Sequence, residues 1–285
     1  MSYSVHAPMP GVWRPEISES IDGRPLAQSV SELFFDFPYD RLPENKFLAF
    51  FLRPECMFGM LIFYLVSKPL FRSIAKSIDP KAEWFRASIA VHNLALAIFS
   101  AVVVWNSWPI VAAHYLEEGL FATYCDTEGT LWGASGFGAW AIVFYISKYY
   151  EFADTWVLVF KGKKPSFLQI YHHTGIGFCM WGAVLSQSSW LIFVVLLNSV
   201  IHTLMYTYFL IKTISPSTEI KAAKNLTTAQ IAQFFTGLGC SAGVLVMGDK
   251  CDTASSRFML GCLHVYGWGL IALFMAFASR KYKKK

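Results

Sequence analysis

The side chains best suited to chemistry lie in two apolar stretches between residues 148 and 173. The first stretch carries an ammonium and two carboxylates, and the second, beyond a short basic loop, carries an amide and two adjacent imidazoles. In chain order these residues are Lys148, Glu151, Asp154, Gln169, His172 and His173. Imidazole titrates near neutral pH, so it can act as a nucleophile and also carry protons. Ionisable groups in segments apolar enough for a membrane are costly and are functional by default.

Polar side chains in neighbouring apolar stretches are predicted to lie at a similar depth, counted at about 1.5 Å per residue from each helix end. They are His92, Asn93, Asn198, His202, Tyr206, Gln230 and Gln233. Buried polar groups need partners, so we expect these residues to converge with the two histidines around one cavity open to the cytosol. Three alternatives stay open. In the first, the amides only form hydrogen bonds between helices. In the second, Lys148 and Glu151 form a structural ion pair. In the third, the histidines are packing residues.

The elements that would position these residues are membrane-spanning helices. The chain has 285 residues, of which 55% are hydrophobic, and a mean hydropathy of +0.42. Several runs approach the roughly 20 apolar residues that cross a bilayer. We predict an all-α fold with seven spans, of which spans two to seven surround the cavity. The predicted spans are 54–71, 87–107, 133–159, 166–186, 190–211, 227–247 and 258–279.

The charges of the connecting segments predict the orientation. Lysine and arginine accumulate in cytoplasmic loops. Connections 68–86 and 161–164 carry five and three of them, whereas 108–132 carries none and has four acidic residues. The tail has five basic residues, so the C-terminus is predicted to be cytosolic and the N-terminus, across an odd number of spans, lumenal. The predicted parts are a polar lumenal segment (1–50), a seven-helix membrane domain (51–279) and a basic cytosolic tail (280–285).

The six cysteines lack the spacing of a zinc finger, and the basic residues are confined to loops and the tail. A structural zinc site and a nucleic-acid partner are therefore not expected. Cys125 and Cys251 are the two cysteines outside the predicted spans, and both fall in lumenal loops, where disulfides form. We predict a Cys125–Cys251 disulfide, with two unpaired loop thiols as the alternative.

Two signals fall on the predicted cytosolic side. Asn225 begins a glycosylation motif, and we expect it to be unmodified there. Lys281 and Lys283 lie five and three places from the C-terminus, which resembles a dilysine signal for retention in the endoplasmic reticulum. The alternative is a basic cluster that binds an anionic membrane leaflet. Both interpretations are compatible with one tail.

Four motifs follow one another in a recognisable order. They are K-x-x-E-x-x-D-T at 148–155, a histidine box that ends at His172-His173, N-x-x-x-H-x-x-M-Y at 198–206 and T-x-x-Q-I-x-Q-F at 227–234. In these motifs the chain resembles the ELO family of membrane fatty acid elongases over nearly its whole length from about residue 50. The family pattern H-x-x-H-H has Gln169 in its first position here. In this departure the chain resembles a subgroup of polyunsaturated-acyl elongases from algae and protists. At 206–209 the family's Y-x-Y-Y ends in Phe209 here.

The resemblance implies decarboxylative condensation of a fatty acyl-CoA with malonyl-CoA to a 3-oxoacyl-CoA that is two carbons longer. His172 would carry the acyl group, Gln169 and His173 would fix its tautomer, and His202 would assist transfer. Glu151 and Asp154 would orient imidazoles or substrate, with Lys148 offsetting their charge. The remaining expected substrate-binding residues are Asn93, Asn198, Tyr206, Gln230, Gln233 and, for the CoA phosphates, Lys161, Lys163 and Lys164.

The resemblance also implies partners and a location. We expect a multi-pass protein of the endoplasmic reticulum membrane that contacts lipid and needs no cofactor besides its two CoA substrates. A reductase and a dehydratase would complete the elongation cycle, and a homodimer is left open. Two other function classes are the alternatives: a histidine-box desaturase or hydroxylase, which needs more imidazoles than the seven in this chain, and a seven-helix transporter. Within the enzyme class, Cys179 is the alternative acyl carrier.

Overall fold

The structure is a computed structural model that describes residues 37, 39, 42–218, 223–247, 250–251 and 253–282. Within these residues the chain forms nine α-helices and one π-helical turn (Thr130–Ala134). The helices are α1 (Lys46–Leu52), α2 (Pro54–Ala75), α3 (Glu83–Cys125), α4 (Phe137–Tyr150), α5 (Phe152–Phe160), α6 (Phe167–Leu185), α7 (Leu191–Ile214), α8 (Ala223–Met247) and α9 (Ala254–Tyr282). The all-α prediction is therefore confirmed for the described residues. Most of the predicted lumenal segment (1–50) and the final lysines, Lys283 to Lys285, lie outside them.

Among the described helices, five are long and apolar enough to cross a membrane: α2, α3, α7, α8 and α9. The chain is thus a polytopic helical membrane protein. The other two predicted spans differ from a simple crossing. Span 133–159 is divided into α4 and α5 at Glu151. Span 166–186 corresponds to α6, whose 19 residues include an amide and two histidines that lower its hydropathy.

The second predicted span was too short. Instead of ending near residue 107 in a long connection, α3 continues to Cys125. The segment beyond Pro109 is rich in good helix formers such as Ala, Leu and Glu. Gly119 interrupts it with φ 86° and ψ 177°, a conformation that an L side chain rarely adopts. The residues predicted as a lumenal connection are therefore largely helix with a kink.

Helix contacts close a ring. In order around it, α3 packs on α7, α7 on α8, α8 on α9, α9 on α6, α6 on α4, and α4 back on α3. Helix α2 is not a ring member and packs against α5 and α6. Ser166 Oγ accepts a hydrogen bond from the Gln169 backbone N–H and so caps the start of α6. This cap fixes the first turn of the helix that carries the two adjacent histidines.

One end of the ring is cross-linked. A disulfide joins Cys125 at the end of α3 to Cys251 before α9, in agreement with the predicted pair. Next to it, the Asp126 carboxylate accepts hydrogen bonds from the backbone N–H groups of Leu131 (2.9 Å) and Trp132 (2.8 Å), which start the π-helical turn. Burial raises the pKa of Asp126 to about 6, although these hydrogen bonds act in the opposite direction. We call this region, around the disulfide, the disulfide end.

Candidate active site

Inside the ring lies a cavity of about 820 Å³. Polar side chains from six helices line it, and most of the residues predicted as a site are among them. These are Asn93, Glu151, Asp154, Gln169, His172, His173, Asn198, His202, Tyr206, Gln230 and Gln233. The structure therefore brings the four sequence motifs together in one space, which is what partners for buried polar groups require.

Glu151 is the centre of a buried charge cluster. Lys148 Nζ donates hydrogen bonds to Glu151 Oε1 at 2.7 Å and to Asn198 Oδ1 at 3.3 Å. His202 Nδ1 lies 3.5 Å from the same carboxylate oxygen, within ion-pair distance but without hydrogen-bond geometry. Lys148 and Glu151 are only 1% and 2% exposed, so neither charge has water as its main partner. The pair holds an imidazole beside a fixed negative charge.

Asp154 has a different set of partners. Its Oδ1 atom lies 2.8 Å from His92 Nε2, and its Oδ2 atom accepts a 2.7 Å hydrogen bond from the Tyr206 hydroxyl. These contacts connect α5 to α3 and α7. The sequence identified His92 as a polar residue at this depth but gave it no role, whereas the structure pairs it with a predicted catalytic carboxylate.

A break in the helix separates the two carboxylates. Helix α4 ends at Tyr150 and α5 begins at Phe152, and the Asp154 backbone N–H donates to the Glu151 carbonyl three residues back at 3.0 Å. Such a tighter turn changes the direction of the side chains that follow it. Glu151 and Asp154 thus serve two different histidines, one on α7 and one on α3.

The histidine box occupies the first two turns of α6. His172 Nδ1 lies 2.8 Å from the hydroxyl of Tyr266 on α9. The imidazole of His173 is buried against the edges of Tyr64 and Phe152, and its Nδ1 atom has no hydrogen-bond partner. The two histidine rings are 5.3 Å apart, centroid to centroid. Tyr266 is thus the residue that contacts Nδ1 of His172, whereas the roles predicted for Gln169 and His173 stay predictions.

Amides on α3 and α8 complete the lining without forming a common network. Asn93 Nδ2 donates to Thr213 Oγ1 at 3.4 Å, and Gln230 Nε2 contacts Met205 Sδ at 3.3 Å. Gln233 Oε1 is buried without a hydrogen-bond partner. The first two contacts fit the alternative of hydrogen bonds between helices, and the third leaves an acceptor free in the cavity wall.

Basic residues collect where the helix ends meet at the cavity. Of the three lysines predicted for the CoA phosphates, Lys161 lines the cavity, whereas Lys163 and Lys164 are exposed and do not. Burial, and then the nearby charge of Lys163, lower the pKa of Lys161. Other cations in the lining come from segments far apart in sequence, a proximity that loop composition could not reveal. They are Lys81, Arg86, Lys212 and Lys281. We call this region the cavity end.

Two further findings bear on the alternatives. Cys179 is 2% exposed and is not part of the cavity lining, so it is poorly placed to carry a substrate. Within the part of the chain that the structure describes, no group of three or more His, Cys, Asp or Glu residues is arranged to hold a metal ion.

Two tyrosines that contact the histidine box, Tyr266 and Tyr64, could not be predicted from the sequence. A single tyrosine in an apolar helix has no distinguishing spacing.

Comparison with known proteins gives concordant results. The chain is 36% identical over 172 residues to a Dictyostelium discoideum protein named fatty acid elongase sre1, a match that spans 58% of this chain and 62% of that protein. It is 33% identical over 188 residues to the Caenorhabditis elegans long chain fatty acid elongase 2, with 65% of each chain covered. It is 26% identical over 238 residues to a Trypanosoma cruzi protein named very long chain fatty acid elongase 4, covering 81% and 79%. The chain thus spans less than two thirds of the first and second of these relatives. A family profile described as the GNS1/SUR4 family, ELO, matches residues 49–285, and because this match takes in every helix of the ring, the chain belongs to the ELO family.

Proposed function

We propose that the protein condenses a long-chain fatty acyl-CoA with malonyl-CoA, releasing carbon dioxide and CoA and giving a 3-oxoacyl-CoA two carbons longer. The observation that carries this proposal is the shared cavity, which His172 on α6, His202 on α7 and Glu151 all line. A basic rim, made of Lys161, Lys212 and Lys281, belongs to the same lining. An acyl-transfer site needs a nucleophile, a proton carrier and a way to hold an anionic substrate. Each of these is available in this one space.

The first proposed step is acyl transfer to His172. An imidazole nitrogen attacks the thioester carbonyl, the carbon–sulfur bond breaks, and CoA leaves as its thiol after taking up the imidazole proton. The product is an acyl-imidazole, an activated acyl group. A cavity of about 820 Å³ with apolar residues such as Phe234 and Phe274 in its wall has room for a fatty chain.

The second proposed step is condensation. Malonyl-CoA loses carbon dioxide by cleavage of its carbon–carbon bond, and the electron pair forms an enolate. The enolate carbon attacks the acyl carbon, and the bond to the His172 nitrogen breaks. The departing imidazolate takes up one proton from water, which regenerates the neutral imidazole. His202, held beside Glu151 Oε1 at 3.5 Å, would stabilise the enolate by offering a proton or a positive charge. Asp154, through its contacts with His92 and Tyr206, would hold α3, α5 and α7 together in the cavity wall.

The basic rim is proposed to bind the phosphates of CoA. Lys161, Lys212 and Lys281 converge there from three helix ends, and ammonium groups make charge-assisted hydrogen bonds to phosphate oxygens. A polyunsaturated acyl chain is the proposed preferred substrate, based on Gln169 in place of the first histidine of the box. That substrate preference rests on the resemblance to the polyunsaturated-acyl subgroup alone.

The membrane arrangement is also proposed. Seven spans follow from the lengths of the apolar runs. A lumenal N-terminus, a cytosolic C-terminus and a cavity that opens to the cytosol follow from the charges of the loops. Residence in the endoplasmic reticulum follows from the tail, and the reductase and dehydratase of the cycle would be its partners. Glycosylation acceptor sites inserted into each connecting segment test the orientation, and modification of a site in 161–164 would contradict it.

The decisive experiment uses microsomes that contain the full chain. Radiolabelled malonyl-CoA is supplied with saturated and polyunsaturated acyl-CoAs of matched length, and the products are separated by chain length and by number of double bonds. Condensation gives labelled 3-oxoacyl-CoA, whereas a desaturase would change the number of double bonds without incorporating label. Equal rates for saturated and polyunsaturated partners would remove the proposed substrate preference while leaving the reaction intact.

Two variants make this experiment specific. His172→Ala is expected to lower condensation by at least about a thousandfold, since it removes the nucleophile. Cys179→Ala is the matched control on the same helix and should retain activity within about threefold. Loss of activity in Cys179→Ala with retention in His172→Ala would reverse the assignment of the acyl carrier.

A further inference from the structure

We infer that Tyr266 is a positioning residue that fixes the tautomer of His172, and this inference rests on the proposed function of His172. The Tyr266 hydroxyl makes two contacts with the same residue. It lies 2.8 Å from His172 Nδ1 and donates to the His172 backbone carbonyl at 3.3 Å. Because both contacts involve one hydroxyl, they determine where the proton on the imidazole must be.

The assignment follows from counting protons. A tyrosine hydroxyl has one hydrogen, and a carbonyl oxygen can only accept. When the Tyr266 hydrogen goes to the carbonyl of His172, the hydroxyl oxygen must accept a hydrogen from Nδ1. Both contacts are therefore hydrogen bonds only when the neutral imidazole carries its proton on Nδ1. The lone pair is then on Nε2, the nitrogen that would attack the thioester.

The position of the Tyr266 ring is set by the contact between α6 and α9. It stacks on Tyr171, with ring centroids 5.5 Å apart and 26° between the planes, and the Tyr171 hydroxyl donates to the Tyr266 backbone carbonyl at 3.1 Å. Gly175 lies beneath the ring, and a Cβ atom there would overlap ring carbons of Tyr266. The absence of a side chain at Gly175 thus lets the hydroxyl reach the imidazole one turn away.

The test compares Tyr266→Phe with Tyr171→Phe in the full chain, purified in detergent. The first variant keeps the stacked ring and removes the hydroxyl that contacts His172, whereas the second removes the hydroxyl that contacts only backbone. We expect Tyr266→Phe to lower kcat for condensation by about 10- to 100-fold, as loss of a partner that orients a histidine does, with little change in KM for malonyl-CoA. Tyr171→Phe keeps the ring that stacks on Tyr266, so it should stay within about threefold of the natural chain.

A second readout isolates acyl transfer. With acyl-CoA alone, the first turnover releases CoA and leaves an acyl group that hydroxylamine traps as a hydroxamate. Tyr266→Phe should slow this release as much as it slows condensation, with the same Tm as Tyr171→Phe. Gly175→Ala, which displaces the ring, should slow it as well. A purely structural role for Tyr266 would instead lower Tm or raise KM and leave the rate of CoA release unchanged.

The outcomes separate the two proposals. If His172→Ala retains activity, the proposed role of His172 fails and the inference about Tyr266 fails with it. If His172→Ala is inactive while Tyr266→Phe matches the natural chain in kcat and in CoA release, the positioning role alone is overturned. A parallel loss in both tyrosine variants also overturns it, because the effect would then come from helix packing.

Discussion

At the cavity end of the helix ring, several buried polar atoms lack a hydrogen-bond partner and line the cavity, whereas at the disulfide end the buried atoms that lack a partner lie outside that lining. His173 Nδ1, His202 Nδ1 and Gln233 Oε1 are buried in the cavity lining without a hydrogen-bond partner. Leaving such a group unpaired costs about 1–3 kcal/mol. In the cavity lining, these atoms are available to a bound substrate.

At the disulfide end, several buried polar groups are hydrogen-bonded to protein. Both ring nitrogens of His114 contact threonine hydroxyls, Thr123 at 2.8 Å and Thr130 at 2.9 Å. The Ser256 hydroxyl donates to Ser188 at 2.6 Å and accepts from a tryptophan N–H. Gln187 and Ser189 are exceptions, with buried atoms that have no hydrogen-bond partner.

The difference teaches where to look for function in a bundle that is polar at both ends. Polar groups that pair with one another fix the fold, and polar groups that share a void without pairing are available to a substrate. Ion pairs complicate this rule, because Lys148 and Glu151 are fully paired and still belong to the cavity end. The following predictions test the comparison, beginning with that pair.

The largest effect is expected from Lys148→Met. It leaves the Glu151 carboxylate buried with no ammonium, and removal of one partner of a buried ion pair costs about 3–5 kcal/mol of unfolding free energy. Condensation should be lost as well, because Lys148 no longer holds Glu151 Oε1 in place beside His202. Thermal unfolding in detergent and the malonyl-CoA assay measure the two effects.

The matched control is Lys148→Met combined with Glu151→Gln, which removes both charges. Most of the unfolding free energy should return, while activity should not. If the single variant is as stable as the natural chain, Glu151 is not held as a buried charge. The cavity end would then be structurally tolerant, contrary to the comparison.

At the disulfide end we expect a variant to lose stability and to keep its activity. Replacing both Cys125 and Cys251 by serine is expected to lower the free energy of unfolding by about 2–4 kcal/mol. Condensation should remain within about threefold, since neither cysteine lines the cavity. Cys240→Ser, at an exposed free thiol, is the control and should change neither quantity. A double variant that loses activity at unchanged Tm would place function at this end.

A smaller effect is expected from the titration of Asp126. Its pKa of about 6 in the folded protein lies above the ordinary value of 3.8, because burial disfavours the charged form. Between these values the folded state binds the proton and the unfolded state does not. Stability therefore falls as pH rises from about 4 to 6, by on the order of 2 kcal/mol. Unfolding measured from pH 4.5 to 7.5 should show this slope.

Asp126→Asn removes the titration and keeps one oxygen as acceptor. The difference in unfolding free energy between Asp126→Asn and the natural chain should therefore change across this pH range, because all other carboxylates titrate in both. A constant difference would mean that the backbone N–H groups of Leu131 and Trp132 stabilise the carboxylate enough to cancel its burial. The cost of burying the Asp126 carboxylate would then be fully offset by its hydrogen bonds.

The smallest effect concerns the basic rim. Lys161→Ala or Lys212→Ala should each raise KM for acyl-CoA about fivefold, as expected for loss of roughly 1 kcal/mol from a partly exposed charge, and should weaken its dependence on salt. Lys163→Ala, two residues from Lys161 but outside the lining, should stay within about twofold. Equal effects at Lys161 and Lys163 would point to a diffuse field of the loop instead of a phosphate site.

Helices and the polar cluster were predictable from sequence for the same reason. Membrane-spanning helices are long apolar runs whose ends are marked by charge, so predicted bounds such as 227–247 and 258–279 lie inside the observed α8 and α9. Depth along a helix follows from counting residues, so His172 and His202 were placed correctly on one cavity. The Cys125–Cys251 pair followed from which cysteines lie outside the spans.

What could not be predicted depends on rotation about helix axes and on local breaks. Whether His92 or Asn93 faces Asp154 is a question of about 100° on α3, which apolar surroundings on all sides leave undefined. The break at Glu151 could not be predicted, because no Pro or Gly lies there to indicate it. Tyr266 approaches His172 from a helix almost a hundred residues later, and such a contact is set by the packing of α6 on α9.

The reciprocal contacts between α6 and α9 have a mechanical consequence. Tyr266 rests over Gly175, and Tyr171 rests over Gly269, so each helix supplies one ring and one gap to the other. A slide of one helix by a single turn, about 5.4 Å, would move both rings onto side chains and carry the Tyr266 hydroxyl away from the imidazole. The alignment of α6 with α9 and the orientation of one side chain are therefore the same variable, and a force that slides these two helices past each other would act directly on His172.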